Sequence, residues 1–172
     1  MHQVAGAPDL DLSYLLDTGS AIMYRSDLWQ AGVNVVIGTL APAAVLLLID
    51  RWSKRMVQLK STGSPVLASR LLQIRYVTSY RRLYRRGAAR ALLVLIWLTS
   101  VISAVALHWT GAWFQSRLSL IGLGLAFGGA LGNLWDILQH NYVVDFVDLR
   151  WWPVFNLADL GIIGGLVLAF AC

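Results

Sequence analysis

The chain has 172 residues, 58% of them hydrophobic and 13% charged, and a net charge of +5; its mean hydropathy is +0.62. That is too apolar for an ordinary soluble domain, and it points to an integral membrane protein forming one bundle, too short for a second domain of normal size. The lone cysteine, Cys172, excludes an internal disulfide. Three scattered histidines (His2, His108, His140) and no CxxC leave no pattern for a metal or a cofactor.

Residues 1–28 read as a polar leader punctuated by Gly, Pro and Asp. A loosely ordered leader is the simpler reading, and a short interfacial helix over Ser13–Tyr24 is the other. No basic start followed by an apolar run marks a cleavable signal peptide there. Residues 29–49 form the first expected span, long enough as a helix to cross a ~30 Å hydrocarbon layer, with Pro42 inside it. Residues 50–87 are basic: eleven of the fourteen Lys and Arg residues lie between Arg51 and Arg90. The segment opens as a helix leaving the membrane, turns at Ser61–Pro65, and becomes strand-like over Leu71–Tyr80, which is rich in β-branched and aromatic residues. It reads as a small extramembrane element on the bilayer surface, its charge facing anionic lipid rather than nucleic acid.

The second span is expected over 88–108, followed by a short connection carrying Trp109 and Trp113, as at a membrane interface. The third covers 118–138, where Gly124, Gly128 and Gly132 share one face and allow close helix approach. Residues 139–152 read as a polar-aromatic connection, and 153–171 as the fourth span, opened by Pro153. The fold class is thus an all-α membrane protein, with four transmembrane helices and a strand-containing element between helices 1 and 2. Residues 29–172 make up the membrane domain. Four spans bring Asp50, Lys54, Asp145 and Asp159 to one membrane face.

All nine acidic residues are aspartates, and four of them (Asp136, Asp145, Asp148, Asp159) lie within 128–159. Charge is costly beside hydrocarbon, so such residues are functional candidates by default. Asp145 and Asp159 are fourteen apart, enough for the chain to leave one helix and re-enter another. Two facing aspartates can share a proton, one acting as general base on a water and the other as general acid. Interface aspartates also cap helices and pair with arginines, and spacing alone leaves that alternative open.

Gly128-Gly129-Ala130-Leu131-Gly132-Asn133 with Asp136, then Val143-Val144-Asp145-Phe146 with Asp148, then Phe155-Asn156-Leu157-Ala158-Asp159 before an apolar helix, resembles the C-terminal half of the type II (lipoprotein) signal peptidases. Asp50-Arg51-Trp52-Ser53-Lys54 is a weaker match to that family's D-Q-x-T-K. The resemblance is dense over 128–171 and thin over 29–57. It implies a four-helix aspartic endopeptidase of the bacterial inner membrane. Such an enzyme cuts a prolipoprotein before its diacylglyceryl-modified cysteine, without metal or cofactor. Asp145 and Asp159 map onto the catalytic pair. Asn133, Asp136 and Asn156 map onto site-lining positions, and Asp50 and Lys54, four apart, suggest an ion pair in the site wall. Asp148 reads as structural.

The chain also departs from the family pattern. Ile137 follows Asp136 where the family has a basic residue. Ser79–Gly87, with four arginines, replaces an N-x-G-A-A-F element. These are substrate-side positions, so their replacement is compatible with a different headgroup or partner. The resemblance places the site on the periplasmic or extracellular face. The positive-inside tendency would instead hold the Arg-rich 75–90 stretch in the cytoplasm, and the family orientation is given the greater weight. Two readings follow: a divergent member or paralogue that cleaves lipidated precursors, or a non-catalytic membrane subunit that docks a larger complex or anionic lipid through its arginines.

Overall fold

The computed structural model describes residues 12–60, 67–68, 73–79 and 87–172. In chain order the elements are α1 (Leu12–Lys60), β1 (Leu67–Ala68), β2 (Gln73–Ser79), α2 (Gly87–Trp109), α3 (Arg117–His140), β3 (Val143–Asp148) and α4 (Leu157–Ala171). The chain divides into two compact units, Met1–Val35 and Val36–Cys172, and every site residue lies in the second. Of the expected leader, residues 12–28 are helical within α1 and residues 1–11 lie outside the described residues. The expected turn at 61–65 and the arginines at 81, 82, 85 and 86 also fall outside them.

Three helical stretches among the described residues are long and apolar enough to cross a membrane: Gly32–Lys60, Gly87–Trp109 and Arg117–His140. The fourth expected span is realised as Leu157–Ala171, 15 residues long. At 1.5 Å per residue it reaches about 22 Å, short of a ~30 Å hydrocarbon layer. Pro153 does not open it. Phe155 is held in a bridge to Val147, and Asn156 is the N-cap, so the helix starts four residues later than the apolar run suggests.

Small residues set the packing. A Cβ on Gly128 would lie 2.6 Å from the Cα and the carbonyl oxygen of Ala43, so only hydrogen fits between α3 and α1 there. A Cβ on Gly165 would lie 2.6 Å from the Ala126 nitrogen, which fixes the α3–α4 contact the same way. Close backbone approach of this kind replaces the hydrophobic effect, which lipid does not supply. At the far end of α4, Phe170 packs edge-on to Phe114 at 5.3 Å between ring centroids. Trp97 of α2 donates from Nε1 to the Phe127 carbonyl of α3.

The extramembrane element is a three-stranded antiparallel sheet ordered β1-β2-β3. The strand-like reading of 71–80 corresponds to β2. The connection expected over 139–152 contains β3, whose Val-Val-Asp-Phe-Val-Asp sequence carried the same β-branched and aromatic signal. Val77 pairs with Asp145 and Ile74 with Val147, so a one-residue bulge falls on β2 opposite Phe146. The sheet thereby joins the segment after α1 to the segment between α3 and α4, on one side of the bundle.

Candidate active site

Three local devices deliver the site residues. Asn141 in the left-handed conformation (φ 62°) ends α3, its N–H donating to the Ile137 carbonyl. The chain then enters β3. After Asp148, whose Oδ1 accepts from the Arg150 N–H at 2.8 Å, it reverses with Arg150 at φ 69°. Phe155 closes the return: the Val147 N–H donates to its carbonyl at 2.8 Å, and its own N–H donates to Val147 O at 3.1 Å. The next residue, Asn156, lands beside Asp145. Asp148 thus shapes the turn that brings the two halves of the site together, in keeping with its structural reading.

Asn156 is fully buried and makes contact with both candidate catalytic carboxylates. Its Nδ2 donates to Asp145 Oδ1 at 2.9 Å and to the Val144 carbonyl at 3.2 Å. Its backbone N–H donates to Asp159 Oδ2 at 3.1 Å, and its Oδ1 accepts from the Asp159 N–H at 3.0 Å. The last two bonds form a reciprocal capping box at the α4 N-terminus. The cap brings the two residues together, with Asn156 outside the helix and Asp159 in its first turn.

The remaining expected site residues form the wall behind this pair. Asp50 and Lys54 on α1 are ion-paired at 2.6 Å and both are buried. Lys54 Nζ also lies 2.8 Å from Asp136 Oδ2 and donates to Asn133 Oδ1 at 3.1 Å. Among the described residues, Asp50 Oδ2 and Asp136 Oδ2 have that ammonium and no other polar partner. Asn133 donates from Nδ2 to Asp159 Oδ1 at 2.8 Å and accepts from Asn156 Nδ2 at 3.1 Å. Seven residues far apart in sequence therefore form one hydrogen-bonded cluster: Asp50, Lys54, Asn133, Asp136, Asp145, Asn156 and Asp159.

One connection had no sequence signal. Asp50 Oδ1 accepts from the Ala158 N–H at 3.0 Å, so an α1 carboxylate caps α4. A helix N-terminus leaves four unpaired N–H groups and carries partial positive charge, and both favour an acidic partner. Only the tertiary fold reveals that the partner lies 108 residues away. The other unforeseen feature is a cavity of about 540 Å³ beside Asp159, bounded among others by Trp151, Trp152, Val154, Leu160 and Ile163. Its walls are almost wholly apolar, and Asp159 is its one ionisable residue among those described. Among the described residues, no group of three or more His, Cys, Asp or Glu could hold a metal ion.

Residues 42–172 match the family model described as Signal peptidase (SPase) II. The chain belongs to the signal peptidase II family. It is 38% identical over 135 residues to the lipoprotein signal peptidase of Moorella thermoacetica, covering 73% of this chain and 85% of that one. It is 34% identical over 140 residues to the lipoprotein signal peptidase of Mycobacterium tuberculosis H37Rv, covering 75% and 67% respectively. A bacterial membrane enzyme solved by the in meso method at 1.9 Å resolution shares the fold, with a TM-score of 0.65 at 21% identity, over 77% of this chain and 90% of that one. The signal peptidase II relationship makes the chain a membrane hydrolase of the aspartic peptidase type.

Proposed function

We propose that this signal peptidase II relative is the active lipoprotein signal peptidase of a bacterial inner membrane, cutting the precursor before its lipid-modified cysteine with Asp145 and Asp159 as the catalytic pair. The observation that carries this reading is Asn156, one buried residue hydrogen-bonded to both carboxylates, of which Asp159 lines an apolar cavity. In the reaction the pair holds one proton. The ionised carboxylate takes a proton from water as the water oxygen attacks the scissile carbonyl carbon. The protonated carboxyl hydrogen-bonds the developing oxyanion and delivers its proton to the leaving amine as the C–N bond breaks. The two carboxyls titrate as one unit, so the steps belong to the pair. The apolar cavity beside Asp159 suits the lipid-modified part of the precursor, which lies in the membrane with the enzyme.

The exposed Trp151 and Trp152, stacked edge-on at 5.8 Å between centroids, support an interfacial position for the β3–α4 turn. With the sheet on the same side, the site faces the periplasmic surface, where precursors emerge. The experiment is complementation. Expressed in cells depleted of their own type II signal peptidase, the wild-type chain restores mature lipoprotein, whereas Asp145→Asn and Asp159→Asn at equal membrane abundance do not. Restoration by either variant refutes the pair. Failure of the wild type, with the chain co-purifying in a larger complex, favours the non-catalytic subunit.

A further inference from the structure

Lys54 was expected to form an ion pair with Asp50 in the site wall, and its surroundings point to a further role. An ammonium has three N–H donors. Those of Lys54 have three acceptors within reach: Asp50 Oδ2 at 2.6 Å, Asp136 Oδ2 at 2.8 Å and Asn133 Oδ1 at 3.1 Å. The side chain is buried, so no donor is left over for a precursor. What the ammonium does control is the amide of Asn133. A carboxamide has an acceptor end and a donor end, and its neighbours decide which way it faces. With its oxygen toward Lys54, Asn133 accepts from the ammonium and from Asn156 Nδ2, and its own Nδ2 points at Asp159 Oδ1, 2.8 Å away. Turned over, it would set its NH₂ against the ammonium and the Asn156 NH₂, and its oxygen against the Asp159 carboxylate. All three contacts would be repulsive.

We infer that Lys54 is a positioning residue: by holding the Asn133 amide in one orientation, it supplies the N–H donor that fixes Asp159 Oδ1. The inference rests on Asp159 being one of the catalytic pair. It assigns the two halves of the wall different tasks. Asp50 and Asp136 neutralise and fix the ammonium, and the ammonium fixes the amide. The effect on catalysis passes through geometry at Asp159, so it appears in kcat and not in KM.

The test compares two neutral replacements of similar length, Lys54→Gln and Lys54→Met. Both remove the charge, and only glutamine keeps an N–H donor to offer Asn133 Oδ1. The assay follows cleavage of a synthetic diacylglyceryl-cysteine precursor peptide by the full chain in detergent micelles, with thermal melting measured alongside. The expected result is a kcat for Lys54→Gln at least tenfold above that for Lys54→Met, with KM within twofold. In an Asn133→Ala background, that kcat gap closes. Equal kcat values for the two variants, a gap that persists without Asn133, or losses confined to KM would overturn the inference. If the single variants lose their cooperative melting transition, the same pair is compared in an Asp50→Asn/Asp136→Asn background. There no carboxylate faces a missing ammonium, and equal kcat values again overturn the inference. Cleavage by Asp145→Asn or Asp159→Asn would instead sink the catalytic pair itself. Inactivity of both, with Gln and Met equal at position 54, sinks only the positioning role.

Discussion

Removing Lys54 should cost the fold more than removing either aspartate it pairs with. The cluster holds two buried carboxylates, Asp50 and Asp136, against one buried ammonium. Lys54→Met leaves both carboxylates facing each other with no cation, and breaking a buried pair in this way costs at least about 3–5 kcal/mol. Asp50→Ala removes a charge-assisted hydrogen bond of about 1.5–3 kcal/mol and the Ala158 cap of about 0.5–2 kcal/mol. It also leaves Lys54 matched one-to-one with Asp136, so the total is about 3 kcal/mol. Asp136→Asn loses one ionic contact, relieves the surplus negative charge and caps nothing, and its cost is about 1 kcal/mol on the same scale. For a chain of this size about 1 kcal/mol corresponds to roughly 2–4 °C in Tm. The assay is thermal unfolding of the purified variants in one detergent. The expected order of loss is Lys54→Met, then Asp50→Ala, then Asp136→Asn, with the first down by roughly 10 °C or more. A Lys54→Met protein that melts within about 1 kcal/mol of wild type, or an Asp136→Asn protein that melts below it, would refute the charge accounting.

Three further outcomes follow from the geometry. Gly128→Ala should cost about 1–3 kcal/mol, because its Cβ meets the Ala43 backbone at 2.6 Å. Gly164→Ala, with nothing within 4 Å, should not lower the melting temperature measured beside it. Asp159→Asn should melt about 1–3 kcal/mol below wild type. Both Asp159 oxygens accept N–H donors, and an amide can keep only one. Val154→Trp should fill part of the 540 Å³ cavity and raise KM for a lipidated peptide by roughly tenfold, the worth of one misfit group in an apolar pocket. Steady-state kinetics with kcat unchanged is the expected pattern.

Much of this fold was legible because hydrocarbon imposes strict rules. Long apolar runs marked α2 and α3 to within two residues, and Gly128 announced a close helix contact by its spacing from Gly124 and Gly132 alone. The i,i+4 relation of Asp50 and Lys54 announced their ion pair. What escaped was set by tertiary context. Apolar character continues through Pro153 and Val154, so hydropathy could not show that the Phe155 bridge delays α4 to Leu157. β3 was read as connection because it is six residues long and flanked by aromatics, though its strand composition was in view. The Asp50 cap on Ala158 and the three-way saturation of Lys54 depend on where α1 meets α4 and α3, which no local pattern encodes.

The central claim, that Asp145 and Asp159 act together, is tested most directly by cleavage of a diacylglyceryl-modified precursor peptide by the purified chain and its two Asp→Asn variants, with products identified by mass spectrometry. The predicted result is release of the signal peptide at the bond preceding the lipidated cysteine by wild type, and loss of turnover by roughly a thousandfold or more in each variant, as expected when one member of a catalytic unit is removed. Turnover near the wild-type rate by either folded variant would contradict the claim.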